Sequence, residues 1–411
     1  MASIWWSIFG IFSPYADPRE RRVGKLLRRF DAGASRFDAA QSLRDAMSSD
    51  LLRLTVLQEW RFKGYRALAS KRYRRRLYEN ADAIARRFTE WFLGNRERLA
   101  AARPGANERE QWLTGVMEWL APGNGVFKYE ANAAFERLLR DPAHEPLVGD
   151  CNQVSTLYAW LWSLRFPVTE LEAKFPPGHA CLRALGRDVE CTAGTFMEYP
   201  QTPPSPIEEL CAVNVLDVSD SKLRVHSPTP DQMERAATFA FLFSSRRDIT
   251  EGNLRSAWRN LAAQAFESKD WDAAWGWYGK LNDERGRAAT AHNAALELAA
   301  KGKFSRAETW AARSQDPDVR KAVLRSRAAA AYRAKDWAAA RKWYDRAGEP
   351  ESVRSSWMAE YAELFGKVKN CRTAQDWKPV RATVRRMREC AREGGDRKAE
   401  ESCDRILETA G

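Results

Sequence analysis

Three side chains of the types that thiol chemistry requires follow one another within a short stretch of the chain. Gly149-Asp150-Cys151-Asn152-Gln153 places a cysteine directly before an apolar run that ends at Phe166. Val154, Leu157, Tyr158, Leu161 and Leu164 repeat mostly at three- and four-residue steps, which predicts a buried helix with Cys151 on its first turn. There the free backbone N–H groups and the positive end of the helix dipole favour thiolate over thiol. Downstream come Gly178-His179-Ala180 and then Glu190-Cys191-Thr192-Ala193-Gly194. A thiol nucleophile, an imidazole base and a carboxylate to orient the base are what thiol-based acyl transfer needs.

Those groups must be brought together by the elements around them. Val168 to Phe175 and Ala180 to Ala193 carry strand signals, with Leu185-Gly186 as a turn centre. A loop over 184–187 sets Arg183 against Asp188 and makes His179 the diagonal neighbour of Glu190 on one face of a hairpin. A slip of one residue would separate them. Asp188 is a weaker contender for the acid. Cys181, Cys191 and Cys211 read as buried, inert thiols, since cysteine is among the most often buried residue types.

The central motifs resemble the transglutaminase-like branch of the papain-like cysteine enzymes over about residues 130–195. In that family a Gly-x-Cys motif opens the core helix, a His-Ala motif opens a strand and an Asp-x-Thr motif lies on the next strand. The resemblance implies Cys151 as nucleophile, His179 as base and Glu190 as orienting acid. Glu190 stands where the family has Asp, and the 28-residue step from Cys151 to His179 is short for it. The family's oxyanion hole joins the backbone N–H of the cysteine to an upstream side chain, for which Tyr129 and Gln153 are the candidates.

The rest of the 411-residue chain reads as helical, so the expected class is α+β but mainly helical. Three domains are expected: a helical region over 1–120, the catalytic core over 121–245 and helical repeats over 246–411. Residues 18 to about 103 form amphipathic helices, Ala131 to Leu139 a short one, and Ala212–Leu216 with Leu223–His226 a second hairpin. In the last region Trp271, Phe304 and Trp337 recur every 33 residues, stacking Ala274/Ala307/Ala340 and Trp277/Trp310/Trp343. Asp270, Asp336 and Asp376 each precede a Trp as helix N-caps. The period resembles tetratricopeptide repeats, which implies a stacked array that recruits a protein substrate or partner.

Charge and cysteine usage bound the partners. The net charge is +12, and residues 1–100 hold 21 Lys/Arg against 11 Asp/Glu. The run Lys71-Arg72-Tyr73-Arg74-Arg75-Arg76 either contacts an anionic surface or is the basic face of a helix whose apolar stripe is Tyr73, Leu77, Ile84, Phe88 and Trp91. No nucleic-acid motif accompanies it. Seven cysteines without C-x-x-C spacing and four scattered histidines suggest neither disulfides nor a metal site, and no cofactor is implied. Reduced thiols point to a cytoplasmic location. The apolar stretch Ile4 to Phe12 is too short to span a bilayer, which needs roughly 20 residues. It reads as docked on the protein's own core or as an interfacial contact. Two functions therefore stand: a thiol-dependent acyl-transfer enzyme, or a non-catalytic scaffold that keeps the core as a binding module.

Overall fold

The computed structural model describes residues 13–31, 35–216 and 228–409. The apolar stretch Ile4 to Phe12 and the Leu223–His226 half of the expected hairpin lie outside them. The chain is α+β and mainly helical, and it divides into two compact units, 1–257 and 258–411.

In the first unit, α1 (Pro18–Asp31), α2 (Arg36–Arg61), α3 (Lys71–Ala102) and α4 (Glu108–Leu120) precede a parallel strand pair, β1 (Phe127–Tyr129) and β2 (Leu147–Gly149). Next come α5 (Cys151–Ser163) and a five-stranded antiparallel sheet. Its strands are β3 (Glu172–Lys174), β4 (Cys181–Ala184), β5 (Arg187–Glu190), β6 (Thr195–Phe196) and β7 (Ser205–Pro206), in the order β6-β5-β4-β3-β7. Helices α6 (Glu208–Leu216) and α7 (Pro230–Phe243) follow, then α8 (Arg247–Glu267).

One buried core runs from Ala16 to Phe243. An aromatic chain crosses position 120 within it: Phe88 packs edge-on to Trp112 at 5.0 Å, Trp112 meets Phe166 at 6.4 Å, and Phe166 meets Trp162 at 5.0 Å. The N-terminal helices and the sheet region are therefore built around the same apolar interior. The stripe on α3 is as expected, with Leu77, Ile84 and Phe88 buried and Tyr73 and Trp91 partly so.

The basic run on α3 divides its labour. Arg72, Arg75 and Arg76 lie on the exposed side, but Arg74 is fully buried against an equally buried Glu20, at 2.5 Å. Its guanidinium also donates to the Pro14 carbonyl at 2.7 Å and stacks over Trp60 at 4.0 Å. Tyr78 donates to the same Glu20 carboxylate at 2.9 Å, so the buried charges are closely satisfied.

Two expected elements differ. Ala131–Leu139 holds only a 3-10 turn at Phe135–Arg137, because Asn132 is left-handed (φ 60°) and Ala134 is extended. The Phe135 N–H is taken by the Tyr65 hydroxyl at 3.1 Å. Ala212–Leu216 is not a strand but the end of α6, whose first-turn Glu208 and Glu209 suit the positive end of the helix dipole.

The second unit continues with α9 (Trp271–Lys280), α10 (Glu284–Ala300), α11 (Phe304–Ser314), α12 (Pro317–Arg333), α13 (Trp337–Arg346) and α14 (Pro350–Val368). It closes with α15 (Ala374–Trp377), α16 (Arg381–Gly394) and α17 (Arg397–Thr409). The 33-residue period is a property of the backbone as well as of the side chains. Lys269, Gly302 and Lys335 are left-handed, and so are Asn282, Gln315 and Gly348, each set in steps of 33. Ala274, Ala307 and Ala340 are fully buried. Asp270 and Asp336 cap their helices by accepting from Ala273 and Ala339 N–H at 3.2 and 3.0 Å. Asp376 does not: Thr373 is the cap, and Asp376 sits three residues inside, returning the bond as a capping box.

Candidate functional site

The site is assembled at the start of α5. Asp150 is its N-cap, accepting from Gln153 N–H at 3.0 Å, so Cys151 becomes the first helical residue. At that position its own N–H has no intrahelical acceptor. Ser155, one turn further on the same face, donates to the Ala180 carbonyl at 3.2 Å. That bond fixes the helix against the segment that carries His179.

His179 is delivered by a tight turn. Its N–H donates to the Pro176 carbonyl at 2.9 Å, and Gly178 between them has φ +69°. A turn with Pro177 second and a left-handed third residue calls for glycine there. The β4–β5 hairpin then has the expected register, Arg183 opposite Asp188 and Leu182 opposite Val189. Its two-residue loop, Leu185-Gly186, is left-handed at both positions, which suits the strand twist.

This places His179 Nε2 2.8 Å from Glu190 Oε2, to which it donates. The imidazole is pushed up from 6.5 to about 10, first by its hydrogen bond with Cys151 and then by that with Glu190, against the opposing effect of burial. Since Nε2 is taken by the carboxylate, Nδ1 is the nitrogen left to face the thiol. The His179 side chain is 24% exposed and Glu190 only 5%, so the imidazole opens to solvent while the carboxylate lies behind it.

Glu190 is saturated with donors. Oε1 accepts from the Thr192 N–H at 3.0 Å and from the Thr192 hydroxyl, and Oε2 accepts from His179 and from the Tyr199 hydroxyl. Burial by itself would raise its pKa, but the bonds from His179, Thr192 and Tyr199 win and hold it at about 2. Asp188 faces elsewhere. It is fully buried, 2.6 Å from Lys174 Nζ and 2.8 Å from Arg183 Nη1, so it neutralises cations and does not touch the imidazole.

The two oxyanion candidates separate. Tyr129 ends β1 opposite Gly149, is 47% exposed, and has its hydroxyl pushed up by burial and then by the neighbouring Cys151, Asp150 and Glu190. Its strand partner Gly149 lies two residues before Cys151, so β1 brings Tyr129 to the same end of α5. Gln153 turns inward, its amide donating to the Ala133 carbonyl at 2.9 Å. Tyr199 has no counterpart in the sequence reading. Only its place at the start of a Pro-rich connection, nine residues after Glu190, could have drawn attention to it.

All seven cysteines are unpaired thiols. Burial pushes Cys181 and Cys211 up to about 12 and Cys390 to about 11, which disfavours their thiolates. Among the described residues no cluster of His, Cys, Asp and Glu is arranged to hold a metal, and no helix is long and apolar enough to cross a membrane. No protein-family model, no curated protein and no solved structure matches the chain.

Proposed function

We propose that the protein is a thiol-dependent acyl-transfer enzyme, acting on an amide or peptide bond through Cys151, His179 and Glu190. The observation that carries this reading is the His179–Glu190 bond of 2.8 Å on an imidazole that also bonds Cys151 at a helix start. The Cys151 sulfur attacks the amide carbon, and the developing oxyanion is met by the Cys151 N–H, with Tyr129 the candidate for the second donor. Tetrahedral collapse breaks the C–N bond, and the imidazolium gives its proton to the departing amine. The thioester is then resolved by water or by an amine, whose proton returns to His179 as the thiolate leaves. Water gives hydrolysis or deamidation; an amine gives transamidation.

A cysteine-bearing helix beside an antiparallel sheet supports assigning the core to the transglutaminase-like branch. The short step from Cys151 to His179 is accommodated by a connection with only a 3-10 turn and one strand, β3, before the Pro-Pro-Gly turn. Helix pairs with a 33-residue backbone period support reading the second unit as tetratricopeptide-like, recruiting the protein substrate. Unpaired thiols fit a reducing, cytoplasmic setting, and the exposed Arg72 and Arg76 leave α3 able to meet an anionic surface.

Iodoacetamide at about pH 6, below the ordinary thiol value of roughly 8.5, tests the reading. Cys151 should alkylate ahead of the other six thiols, and His179→Ala should abolish the selectivity. If Cys151 reacts no faster than Cys371, or ignores His179→Ala, the core is a binding module instead.

A further inference from the structure

Glu190 Oε2 carries two donors, His179 Nε2 and the Tyr199 hydroxyl. The rings of these two residues lie 6.3 Å apart, inclined at 49°. Tyr199 follows the last strand residue on that side, Phe196, by three positions, and the connection after it is Pro200-Gln201-Thr202-Pro203-Pro204. Left to itself, an aromatic at the head of such a connection would have many orientations. Here its backbone is gripped at both ends. The Tyr199 N–H donates to Asp188 Oδ2 at 2.9 Å, and Lys174 Nζ donates to the Tyr199 carbonyl at 2.8 Å. Lys174 and Asp188 are themselves a buried pair, 2.6 Å apart, with side chains 4% and 0% exposed.

Burying an ion pair costs desolvation that an apolar pair of the same volume would avoid, so its retention calls for a role. The geometry supplies one. Asp188 and Glu190 are alternate residues of one strand, and Tyr199 bridges them, backbone on the first and hydroxyl on the second.

We propose that Tyr199 is a positioning residue for the acyl-transfer site, and that the buried Lys174–Asp188 pair is the anchor that holds it on Glu190. This rests on the function proposed above. Oε1 is fixed by Thr192, but rotation about that contact could still carry Oε2 away from the imidazole. The Tyr199 hydroxyl closes that freedom, so His179 keeps a single ring orientation between Glu190 and Cys151. The titratable and charged groups facing this assembly are Tyr129 from β1, Cys151 and Tyr158 from α5, Lys174 from β3, Cys181 and Arg183 from β4, Asp188 and Glu190 from β5, and Cys191 just after it.

The test uses the full chain with Tyr199→Phe, which removes one oxygen and keeps the ring. Circular dichroism should be unchanged. Alkylation of Cys151 by iodoacetamide at about pH 6 should slow about tenfold, the equivalent of one lost hydrogen bond to a charged acceptor. The His179 imidazole titration, followed by NMR, should move to lower pH as its carboxylate partner loosens. Lys174→Met should reproduce both changes with the tyrosine hydroxyl intact. Where that variant does not fold, Tyr199→Phe decides alone. An unchanged or raised His179 midpoint together with an unchanged alkylation rate in Tyr199→Phe would overturn the proposal. The imidazole signal is readable whether or not Cys151 is selectively reactive, so failure of the enzyme reading shows in the wild-type alkylation pattern and failure of the positioning role shows in the titration.

Discussion

Residues 1–257 build their core from side chains far apart in sequence, whereas residues 258–411 build theirs from neighbours. In the first unit one apolar interior joins Val23 and Leu27 of α1 to Phe239 and Phe243 of α7. In the second, one cluster is confined to Ala291–Val323 with its flanking aromatics, and another to Val368–Cys403 with its own. The first contains Trp162, Phe88, Phe135 and Tyr158 among its most buried side chains; the second relies on Ala274, Ala291, Ala294, Ala307 and Ala340. Large side chains gathered from many segments fix Cys151, His179 and Glu190, the outer two 39 residues apart in sequence. Small ones at a fixed period fix helix spacing and little else. A site that depends on sub-ångström placement belongs with the first arrangement.

The sharpest way to break this contrast is to remove a long-range tie. Arg74→Ala leaves the Glu20 carboxylate buried without its cation, and the expected cost is about 3–5 kcal/mol. Denaturant melts should show it, and Cys151 selectivity should fail with the fold because the core is continuous. A cost below about 1 kcal/mol would mean that Glu20 is not held by Arg74 and that the unit tolerates local loss.

The matching change in the second unit is Ala307→Leu, at a fully buried position where helices approach closely. Overpacking should cost roughly 1–3 kcal/mol. The contrast requires the damage to stay local, so thermal melts should lose stability in one transition while the His179 NMR signals stay where they were. Movement of those signals would undo the distinction.

Titration separates the units next. His179 lies at about 10 against an ordinary 6.5, so its contribution is complete below about 6.5 and lost as pH rises through about 10. Glu190 lies at about 2 against 4.5, so its contribution is complete above about 4.5 and lost as pH falls through about 2. Melts of the first unit should therefore weaken on both sides, and His179→Ala should flatten the alkaline side. An alkaline decline that is the same in His179→Ala would assign it to other groups.

The smallest effect belongs to a turn. Lys335 is left-handed at φ 60°, where its equivalent one unit earlier is Gly302. Lys335→Gly relieves roughly 1–2 kcal/mol of backbone strain but adds unfolded-chain entropy, for an expected net gain of about 0.5 kcal/mol. A lowered melting temperature would show that the lysine side chain contributes more than its backbone costs.

How much of this could be read beforehand follows the same division. The 33-residue period and the buried alanines were legible because each unit repeats its own local rules. The Arg183–Asp188 register was legible because a two-residue loop admits few pairings. Asp376 misled because a carboxylate before a tryptophan suits either the cap or the third helical position, and only Thr373 upstream decides. The segment Ala131–Leu139 misled because its apolar spacing is helical, while Tyr65, some 70 residues earlier, claims the N–H of Phe135. Arg74 looked like part of a solvated face because Glu20 is 54 residues away. Tyr199 was invisible for the same reason: its roles need Lys174 and Glu190 to be already in place. Asp376 apart, whose partner is three residues away, each missed group found its partner in a segment distant in sequence.

The paired left-handed turns at 269/302/335 and 282/315/348 have a consequence for how such an array can change length. Because both turns keep one step, the backbone returns to the same conformation every 33 residues. A gene segment encoding that number of residues, copied in tandem from any starting point between the first and last turn, would therefore insert a whole helix pair with both turns in phase. A duplication that is not a multiple of 33 residues would put the two turns out of phase with the helices. The second unit can thus lengthen or shorten by recombination in whole steps, without a new boundary having to be invented each time.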